Sequence, residues 1–396
     1  MAFEDIVLLG GVRTAFGDFG RSLREVPLSV LGAHVTRASL ARAGIGADAV
    51  DHLVFGLVGV VDHDGPFISR KVALEAGLPV ESAALTVTRA CGSGTQAIVS
   101  AAEQIVTGHS RLAVAAGGES FSRVPHLSRE LRWGAGRGPA TFEDGLDAIY
   151  RCPFSRVLMG DTAEALAERF GYRREAMDDW GYMSQQRAAA AMASGFLARQ
   201  IVPIEVPDGR RGTRTFDRDE FPRPEVTREK LASLRPAFKD GGTVTAGSSS
   251  GVTDGAAALV VAQADALPAG ATPEARLLDY AVAGVPPEIM GSGPVPAIQR
   301  LLQRNALGVG DIDYFEINEA FAVVNLHAEA QLGIPRDRTN LYGGGISIGH
   351  PPGATGIRMT VTAMHHLADT GGRFGVISMC LGSGMGMAVL IENLRR

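Results

Sequence analysis

Two glycine-rich turns, about 260 residues apart, lie in the same local sequence pattern. Each turn follows an extended run and precedes a helical pattern and an apolar run, the order expected of an α/β unit. The first copy comprises the run 84–88, the turn 89–97, the helix 98–106 and the run 112–118. The second comprises the run 340–349, the turn 350–356, a helix containing Met359, Val361 and Met364, and the run 374–379. We therefore expect the chain to fold as two copies of one α/β unit.

The two copies differ in the length of chain before their closing strand. In the second copy, 380–386 lead directly into an apolar run at 387–391, whereas the matching run of the first copy, 256–262, follows a long insertion. We therefore expect three parts. They are a first half formed by 1–118 and 255–270, an inserted loop domain at 119–254, and a second half at 271–396.

The insertion contains one clear helical pattern and one loop-like segment. Residues 177–193 predict a helix with Met177, Trp180 and Met183 in the core, because these side chains recur at helical spacing. Residues 208–224 combine turn-forming and charged residues, and we expect them to be mostly loop. Long loops inside compact enzymes are usually lids or binding surfaces.

Composition excludes several classes of protein. The chain has 396 residues, of which 45% are hydrophobic and 20% charged, as expected of a soluble protein with several lobes. Its net charge of −5 and the lack of a basic tract argue against nucleic-acid binding. No apolar stretch reaches the roughly 18 residues that a membrane helix needs, and the amino terminus lacks the features of a signal peptide. We expect a cytoplasmic protein without membrane insertion.

Cysteine is scarce, which makes each position informative. The three cysteines, Cys91, Cys152 and Cys380, are too widely spaced for a disulfide framework or a zinc site. We expect three free thiols and no metal site. Cys152 lies in the insertion without a recognisable chemical context, and we assign it no role.

Cys91 lies in the first glycine-rich turn, where a helix begins. The positive end of the helix dipole and free amide hydrogens favour thiolate over thiol there, so Cys91 is a candidate nucleophile. From this motif alone, a buried structural cysteine beside glycines used for helix packing is an equal alternative.

His350 occupies the equivalent position in the second copy. Cys380 lies at the end of the next apolar run, 374–379. Two thiols and an imidazole could therefore converge at the carboxyl ends of strands. His365 and His366 are neighbours on a helix and point about 100° apart, so they cannot share a metal, and we expect them at the surface. The glycine clusters do not match the phosphate-binding motifs of nucleotide hydrolysis or hydride transfer.

Four motifs occur in one order along the chain. They are Arg-Ala-Cys-Gly-Ser-Gly at 89–94, Asn-Glu-Ala-Phe-Ala at 318–322, Gly-His-Pro-Pro-Gly-Ala-Thr-Gly at 349–356 and Cys-Leu-Gly-Ser-Gly-Met-Gly at 380–386. Together they resemble the thiolase family, most closely the acetyl-CoA acetyltransferases and broad-specificity β-ketothiolases, and the likeness covers nearly the whole chain. The resemblance implies an α/β fold of two βαβαβ-type halves in five layers, αβαβα, with a large inserted loop domain.

The resemblance also implies a ping-pong reaction between acyl-CoA and acetyl-CoA, giving 3-oxoacyl-CoA and CoA. Cys91 would carry the acyl group, with His350 as its base, and Cys380 would remove a proton from acetyl-CoA. His350 and a water held by Asn318 would stabilise the enolate, and the amides of Cys91 and Gly382 the tetrahedral oxyanion. Taken alone, Asn318 could instead cap a helix starting at Ala320.

The family likeness implies no permanently bound cofactor, with coenzyme A thioesters as the substrates. Matching positions place Arg223 near the adenine and Ser250 on the pantetheine, and the remaining coenzyme A contacts would be Met159, Phe238, Met290 and Phe321. Two positions depart from the relatives. Leu158 replaces a histidine and Lys230 a small hydroxyl residue, and both leave substrate range open.

Relatives are dimers or tetramers, so we expect a homodimer or homotetramer, and 127–138 lies where relatives carry a tetramer-forming loop. Two alternatives remain: a non-catalytic thiolase-like protein that binds acyl-CoA or lipid, and a ketosynthase-like condensing enzyme. The second alternative typically uses one cysteine and two histidines, and Cys380 favours a thiolase.

Overall fold

The computed structural model describes residues 3, 5–61, 63–134 and 136–395. The strands in this part of the chain are β1 (Ile6–Arg13), β2 (Gly17–Asp18), β3 (His52–Gly56), β4 (Ala83–Val87), β5 (Leu112–Glu119), β6 (His126–Leu127), β7 (Glu143–Asp144), β8 (Ile204–Pro207), β9 (Thr213–Phe216), β10 (Thr253–Gln263), β11 (Ala275–Gly284), β12 (Tyr314–Ile317), β13 (Phe374–Leu381) and β14 (Met385–Asn393). The helices are α1 (Leu28–Ala43), α2 (Ile68–Glu75), α3 (Ser93–Val106), α4 (Gly145–Ile149), α5 (Met159–Phe170), α6 (Arg174–Ala193), α7 (Arg228–Ala232), α8 (Pro294–Arg304), α9 (Ala322–Leu332), α10 (Gly345–Ile348) and α11 (Pro352–Thr370).

One continuous hydrogen-bonded sheet of ten strands forms the frame of the molecule, in the order β12-β13-β14-β11-β1-β10-β5-β3-β4 with β2 paired to β10. It divides between β1 and β11 into a first sheet, β1-β10-β5-β3-β4, and a second sheet, β11-β14-β13-β12. In each sheet the strands at the β1 or β11 end are antiparallel, whereas β5, β3 and β4, and likewise β13 and β12, are parallel. The sheets meet edge to edge where Val7 and Leu8 of β1 pair with Arg276 and Ala275 of β11.

Helices cover both sheets and also separate them. Because successive strand residues point to opposite faces, Ala113 and Ala115 of β5 face a central core that contains α3 and α11. Leu112 and Val114 face an outer core with α1 and α2. On the second sheet, α8 and α9 cover the outer face, and Ile377 of β13 faces the central core. The order is helix, sheet, helix, sheet, helix, so the predicted five-layer fold is confirmed.

The two copies predicted from the sequence match element by element except at one strand. β4 of the first half has no counterpart in the second, because 340–344 is loop and α10 covers Gly345–Ile348, so the expected extended run at 340–349 is wrong. The physical reason lies in Asn340, which has a φ of 48°. Its side chain accepts from the amide of Ile317 at 2.8 Å and donates to the carbonyl of Ile317 at 2.7 Å, as a neighbouring strand would.

Residues 119–254 contain helices and hairpins as well as loop. α6 covers the helix predicted at 177–193, with Met177 and Trp180 buried and Met183 half-buried. The expectation that 208–224 is mostly loop is confirmed, although β9 within it pairs with β8 in a hairpin. Val206 and Phe216 on these strands are buried against the outer core of the first sheet. None of the described helices is both long enough and apolar enough to cross a membrane.

Candidate active site

Cys91 lies in a tight turn between β4 and the first residue of α3, Ser93. Ala90 adopts a φ of 46°, a left-handed conformation that is unfavourable for a residue with a side chain. The hydroxyl of Ser93 fixes this turn, since it accepts from the Arg89 amide at 2.9 Å and donates to the Ala90 carbonyl at 2.8 Å. The backbone amides of Gly382 and Cys91 lie close to the Cys91 sulfur and act to lower its pKa. The strained turn therefore points the thiol at two amide donors.

The ionisation of Cys91 differs from the expectation drawn from its sequence position. Burial raises the pKa of the Cys91 thiol, the amides of Gly382 and Cys91 lower it by less, and the charge of Glu119 adds the smallest effect, which raises it. The prediction that the helix amino terminus favours the thiolate is therefore wrong for the resting protein. Loss of water around the sulfur outweighs the favourable dipole and hydrogen bonds.

Cys380 and Gly382 come from the second half of the chain. Cys380 is the penultimate residue of β13 and is fully buried. Burial raises the pKa of its thiol well above the usual range, and the neighbouring Cys91 raises it further. Gly382 begins the turn to β14, in which Ser383 has a φ of 74°. This turn brings the Gly382 amide near Cys91, where it acts to lower the pKa of the thiol.

His350 is held through its backbone and through one ring nitrogen. Its amide donates to the Gly251 carbonyl at 3.0 Å, and its Nδ1 lies 2.7 Å from the Thr355 hydroxyl. That hydroxyl donates to the Pro351 carbonyl at 2.9 Å, so its oxygen accepts from Nδ1–H. The proton on Nδ1 leaves Nε2 with a free electron pair. Burial and the charge of Arg358 lower the pKa of His350 to about 3, so the ring is neutral.

Asn318 faces the free nitrogen of His350. Its Nδ2 lies 3.3 Å from His350 Nε2, and its Oδ1 is buried without a hydrogen-bond partner among the described residues. The backbone amide of Asn318 donates to the carbonyl of Ser378 at 2.8 Å, and Ser378 lies two residues before Cys380. Because α9 begins at Ala322 with Phe321 as its N-cap, the alternative that Asn318 caps this helix is wrong.

The amino termini of α3 and α11 pack directly on each other, and this contact joins the two halves of the site. A side chain at Gly94 would lie 2.6 Å from the Gly353 carbonyl oxygen, and one at Gly356 would lie 2.0 Å from the Thr95 hydroxyl. Only glycine permits such an approach. Both helices begin two residues after the side chain of interest, Cys91 or His350. The duplication therefore places the thiol and the imidazole on adjacent helix termini.

An apolar cavity of about 340 Å³ opens beside this cluster. Four of the six residues predicted to contact coenzyme A line it: Met159, Ser250, Phe238 and Phe321. The departure Leu158 also lines it, together with Tyr150, which the sequence did not single out. A larger cavity, of about 430 Å³, lies between α6 and 217–224, but it contains none of the predicted site residues.

The other predicted coenzyme contacts lie outside the cavity lining. Met290 is buried in the apolar cluster that contains Phe321 and Cys380. Arg223 forms an ion pair with Asp18, and its guanidinium lies 5.0 Å from the Phe221 ring. Lys230 is exposed on α7.

Sequence reasoning missed three groups near the site: Thr355, Tyr150 and Glu119. Thr355 orients His350, and the quoted motif at 349–356 contains it. The charges of Cys91, Glu119 and Asp254 raise the pKa of the Tyr150 phenol, after a larger effect of burial, so Tyr150 lies close to all three. Glu119 is a fully buried acid at the end of a strand of small apolar residues. An acidic residue at the end of an apolar strand was the sequence signal that could have identified Glu119.

His365 and His366 do not both lie at the surface, so this expectation is wrong. His366 is buried, its ring stacks on Tyr314 at 4.3 Å and its Nδ1 lies 2.9 Å from the Tyr342 hydroxyl. His365 is half-buried. α11 is the central helix, and both of its sides contact protein. Across the described ranges, no three His, Cys, Asp or Glu side chains are grouped to hold a metal ion.

Comparisons with known proteins agree with this geometry. Residues 6–265 match the family model "Thiolase, N-terminal domain" and residues 271–393 match "Thiolase, C-terminal domain". Beta-ketothiolase BktB of Cupriavidus necator is 44% identical over 99% of this chain and 100% of the relative. Acetyl-CoA acetyltransferase of the same organism is 40% identical over 98% of this chain and 99% of the relative.

The structure of human mitochondrial 3-ketoacyl-CoA thiolase in complex with CoA superposes with a TM-score of 0.95. The two chains are 37% identical, and the match covers 98% of each. The family predicted from the four motifs is confirmed. The chain belongs to the thiolase family.

Proposed function

We propose that this protein is a thiolase, an acyltransferase that joins acyl-CoA and acetyl-CoA into 3-oxoacyl-CoA and CoA and also catalyses the reverse cleavage. One observation carries the proposal. A thiol with two amide donors, a second thiol, and a neutral imidazole held by Thr355 and Asn318 meet beside an apolar cavity. Cavities of this kind bind the body of a ligand through apolar contacts, and a few polar groups orient it.

The first step is acyl transfer to Cys91. His350 Nε2 takes the thiol proton as the sulfur attacks the thioester carbonyl, and the tetrahedral oxyanion accepts from the amides of Cys91 and Gly382. Collapse of the intermediate breaks the bond to the coenzyme A sulfur. That sulfur recovers the proton from His350 and leaves as free CoA, so the charges and protons balance.

The second step forms the carbon–carbon bond. Cys380 passes its proton to His350 Nε2 and then, as a thiolate, removes a proton from the methyl group of acetyl-CoA. The enolate oxygen accepts from the new Nε2–H of His350 and is stabilised at Asn318. The carbanion attacks acyl-Cys91, the oxyanion forms again at the two amides, and Cys91 leaves as a thiolate that recovers the proton from His350. The unpartnered Oδ1 and the Nδ2 of Asn318 suit the orientation of one water beside His350.

The coenzyme follows the apolar cavity. We assign Met159, Phe238 and Phe321 to its pantetheine arm and Ser250 to a polar contact with that arm, because all four residues line the same cavity. Met290 belongs to the same apolar cluster as Phe321. We assign Arg223 to a contact with the adenine end of the coenzyme, outside the cavity. Most of these residues lie in the inserted domain, 119–254, so this domain provides the coenzyme site between the halves 1–118 with 255–270 and 271–396.

The molecule is a homodimer or homotetramer in the cytoplasm. β4 is the edge of the first sheet and its residues are half-buried or exposed, so its outer backbone groups are available to pair with a second copy. Within the described part of 127–138, Leu127, Leu131 and Trp133 are exposed, and Trp133 retains 86% of its accessible surface. This loop supplies a second contact that turns dimers into tetramers. Sedimentation of the wild type, Leu85→Lys and Trp133→Ser tests both contacts separately.

Loss of acetoacetyl-CoA on addition of CoA, followed spectrophotometrically, tests the enzyme activity. Activity over short and medium 3-oxoacyl-CoAs supports a thiolase, and its absence supports the non-catalytic acyl-CoA or lipid-binding protein. Mass spectrometry should find an acyl group on Cys91 in the wild type and none in Cys91→Ser. Cys380→Ser should still acylate but fail to condense, an outcome that a ketosynthase-like mechanism does not predict.

A further inference from the structure

Glu119 is a buried carboxylate to which the chemical steps above give no role. It ends β5 and has no exposed surface. Its Oε1 accepts from the Gly59 amide at 2.6 Å, its Oε2 accepts from the Gly353 amide at 3.1 Å, and both oxygens lie 3.3 Å from the Val58 amide. One side chain thus holds the loop after β3 and the first turn of α11.

The contact with Gly353 joins the two halves at the point where the site is assembled. Gly353 lies three residues after His350, and a side chain there would lie 2.3 Å from the Gly118 carbonyl oxygen and 2.4 Å from that of Gly56. The first turn of α11 is therefore wedged against β5 and β3. A carboxylate at a helix amino terminus is favoured by the helix dipole, so Glu119 secures the helix end that carries His350.

We propose that Glu119 is a positioning residue of the thiolase reaction, which fixes the helix end carrying His350. Its carboxyl group bonds the Gly353 amide on one side and the loop after β3 on the other, so the first turn of α11 cannot shift without breaking these bonds. This inference rests on the proposed role of His350.

Glu119→Gln and Glu119→Asp test the positioning, and Asp254→Asn is the control. Asp254 is also fully buried, but its carboxylate bonds the amide and hydroxyl of Ser122 rather than α11. Asp254→Asn should therefore keep the wild-type kcat.

The steady-state rate tests the positioning effect. Both Glu119 variants should lower kcat for acetoacetyl-CoA thiolysis by roughly 10- to 100-fold, because a small displacement of His350 is costly. KM should hardly change, since Glu119 does not line the coenzyme cavity. A lower kcat with an unchanged KM is not expected of a residue that only supports the fold.

An unchanged kcat in both Glu119 variants, or an equal fall in kcat in Asp254→Asn, would overturn the inference. A wild type without thiolysis activity would instead overturn the proposed function. If Glu119→Gln does not fold, Glu119→Asp still decides, because it keeps the carboxylate and only shortens the side chain.

Discussion

Thr355→Val should lower activity by removing the hydrogen bond that sets the tautomer of His350. The Thr355 hydroxyl accepts a hydrogen bond from His350 Nδ1–H at 2.7 Å and donates one to the Pro351 carbonyl at 2.9 Å. Valine keeps the shape but leaves Nδ1–H unpaired in a buried site. In the alternative tautomer, Nε2 carries the proton and cannot take one from Cys91. Loss of such a bond costs about 1–3 kcal/mol, which corresponds to a fall in kcat of about 5- to 150-fold.

Thr360→Val provides a matched control on the same helix. Thr360 is also fully buried and also donates to the carbonyl four residues before it, Gly356, at 2.9 Å. Both variants should therefore lose similar stability in urea unfolding, but only Thr355 has a second bond to His350. Thiolysis of acetoacetyl-CoA gives kcat for both, and Thr355→Ser should restore most of the rate. Equal kcat values for the two valine variants would refute the proposed control of the tautomer.

Three further predictions concern the cavity, a titrating histidine and the buried core. Tyr150 lines the cavity near Cys91, so Tyr150→Ala should raise kcat/KM for 3-oxohexanoyl-CoA relative to acetoacetyl-CoA by about 10-fold or more; an unchanged ratio contradicts this. Burial lowers the pKa of His365 from 6.5 to about 4, so the unfolded chain binds the proton more readily than the folded protein. Stability is therefore lost as the pH falls from about 6.5 to about 4, and the melting temperature of His365→Gln should fall less than that of the wild type over this range. Arg358→Met leaves the buried Glu316 without its ion-pair partner and should cost about 3–5 kcal/mol in urea unfolding, most of which Arg358→Met with Glu316→Leu should restore.

The sequence predicted the frame of the site because its signals are local. Glycine-rich turns end strands and begin helices wherever they occur, so the repeated turns around Cys91 and His350 were enough to place both at helix termini. The structure shows the same two-residue offset to Ser93 and to Pro352. Cys380 was placed at a strand end for a similar reason, since a run of apolar residues precedes it and glycines follow.

Properties that depend on tertiary contacts could not be predicted in the same way. The ionisation of Cys91 is decided mainly by burial and then by the amide of Gly382, which comes from the other half of the chain. The absence of a second copy of β4 results from the Asn340 side chain, which bonds both backbone groups of Ile317. His366 is buried because its helix lies between the two sheets. Each outcome requires knowledge of which element packs against which.

The resting site contains a neutral thiol and a neutral imidazole, and this changes the interpretation of the helix termini. Burial raises the pKa of Cys91 and lowers that of His350 to about 3, so transfer of the proton between them is unfavourable at both partners. An ion pair therefore does not form in advance. It becomes accessible when a thioester carbonyl lies at the amides of Cys91 and Gly382, because the negative charge then moves from sulfur to an oxygen that accepts two hydrogen bonds. The dipole of α3 thus contributes to the transition state, where charge develops, and much less to the free thiol.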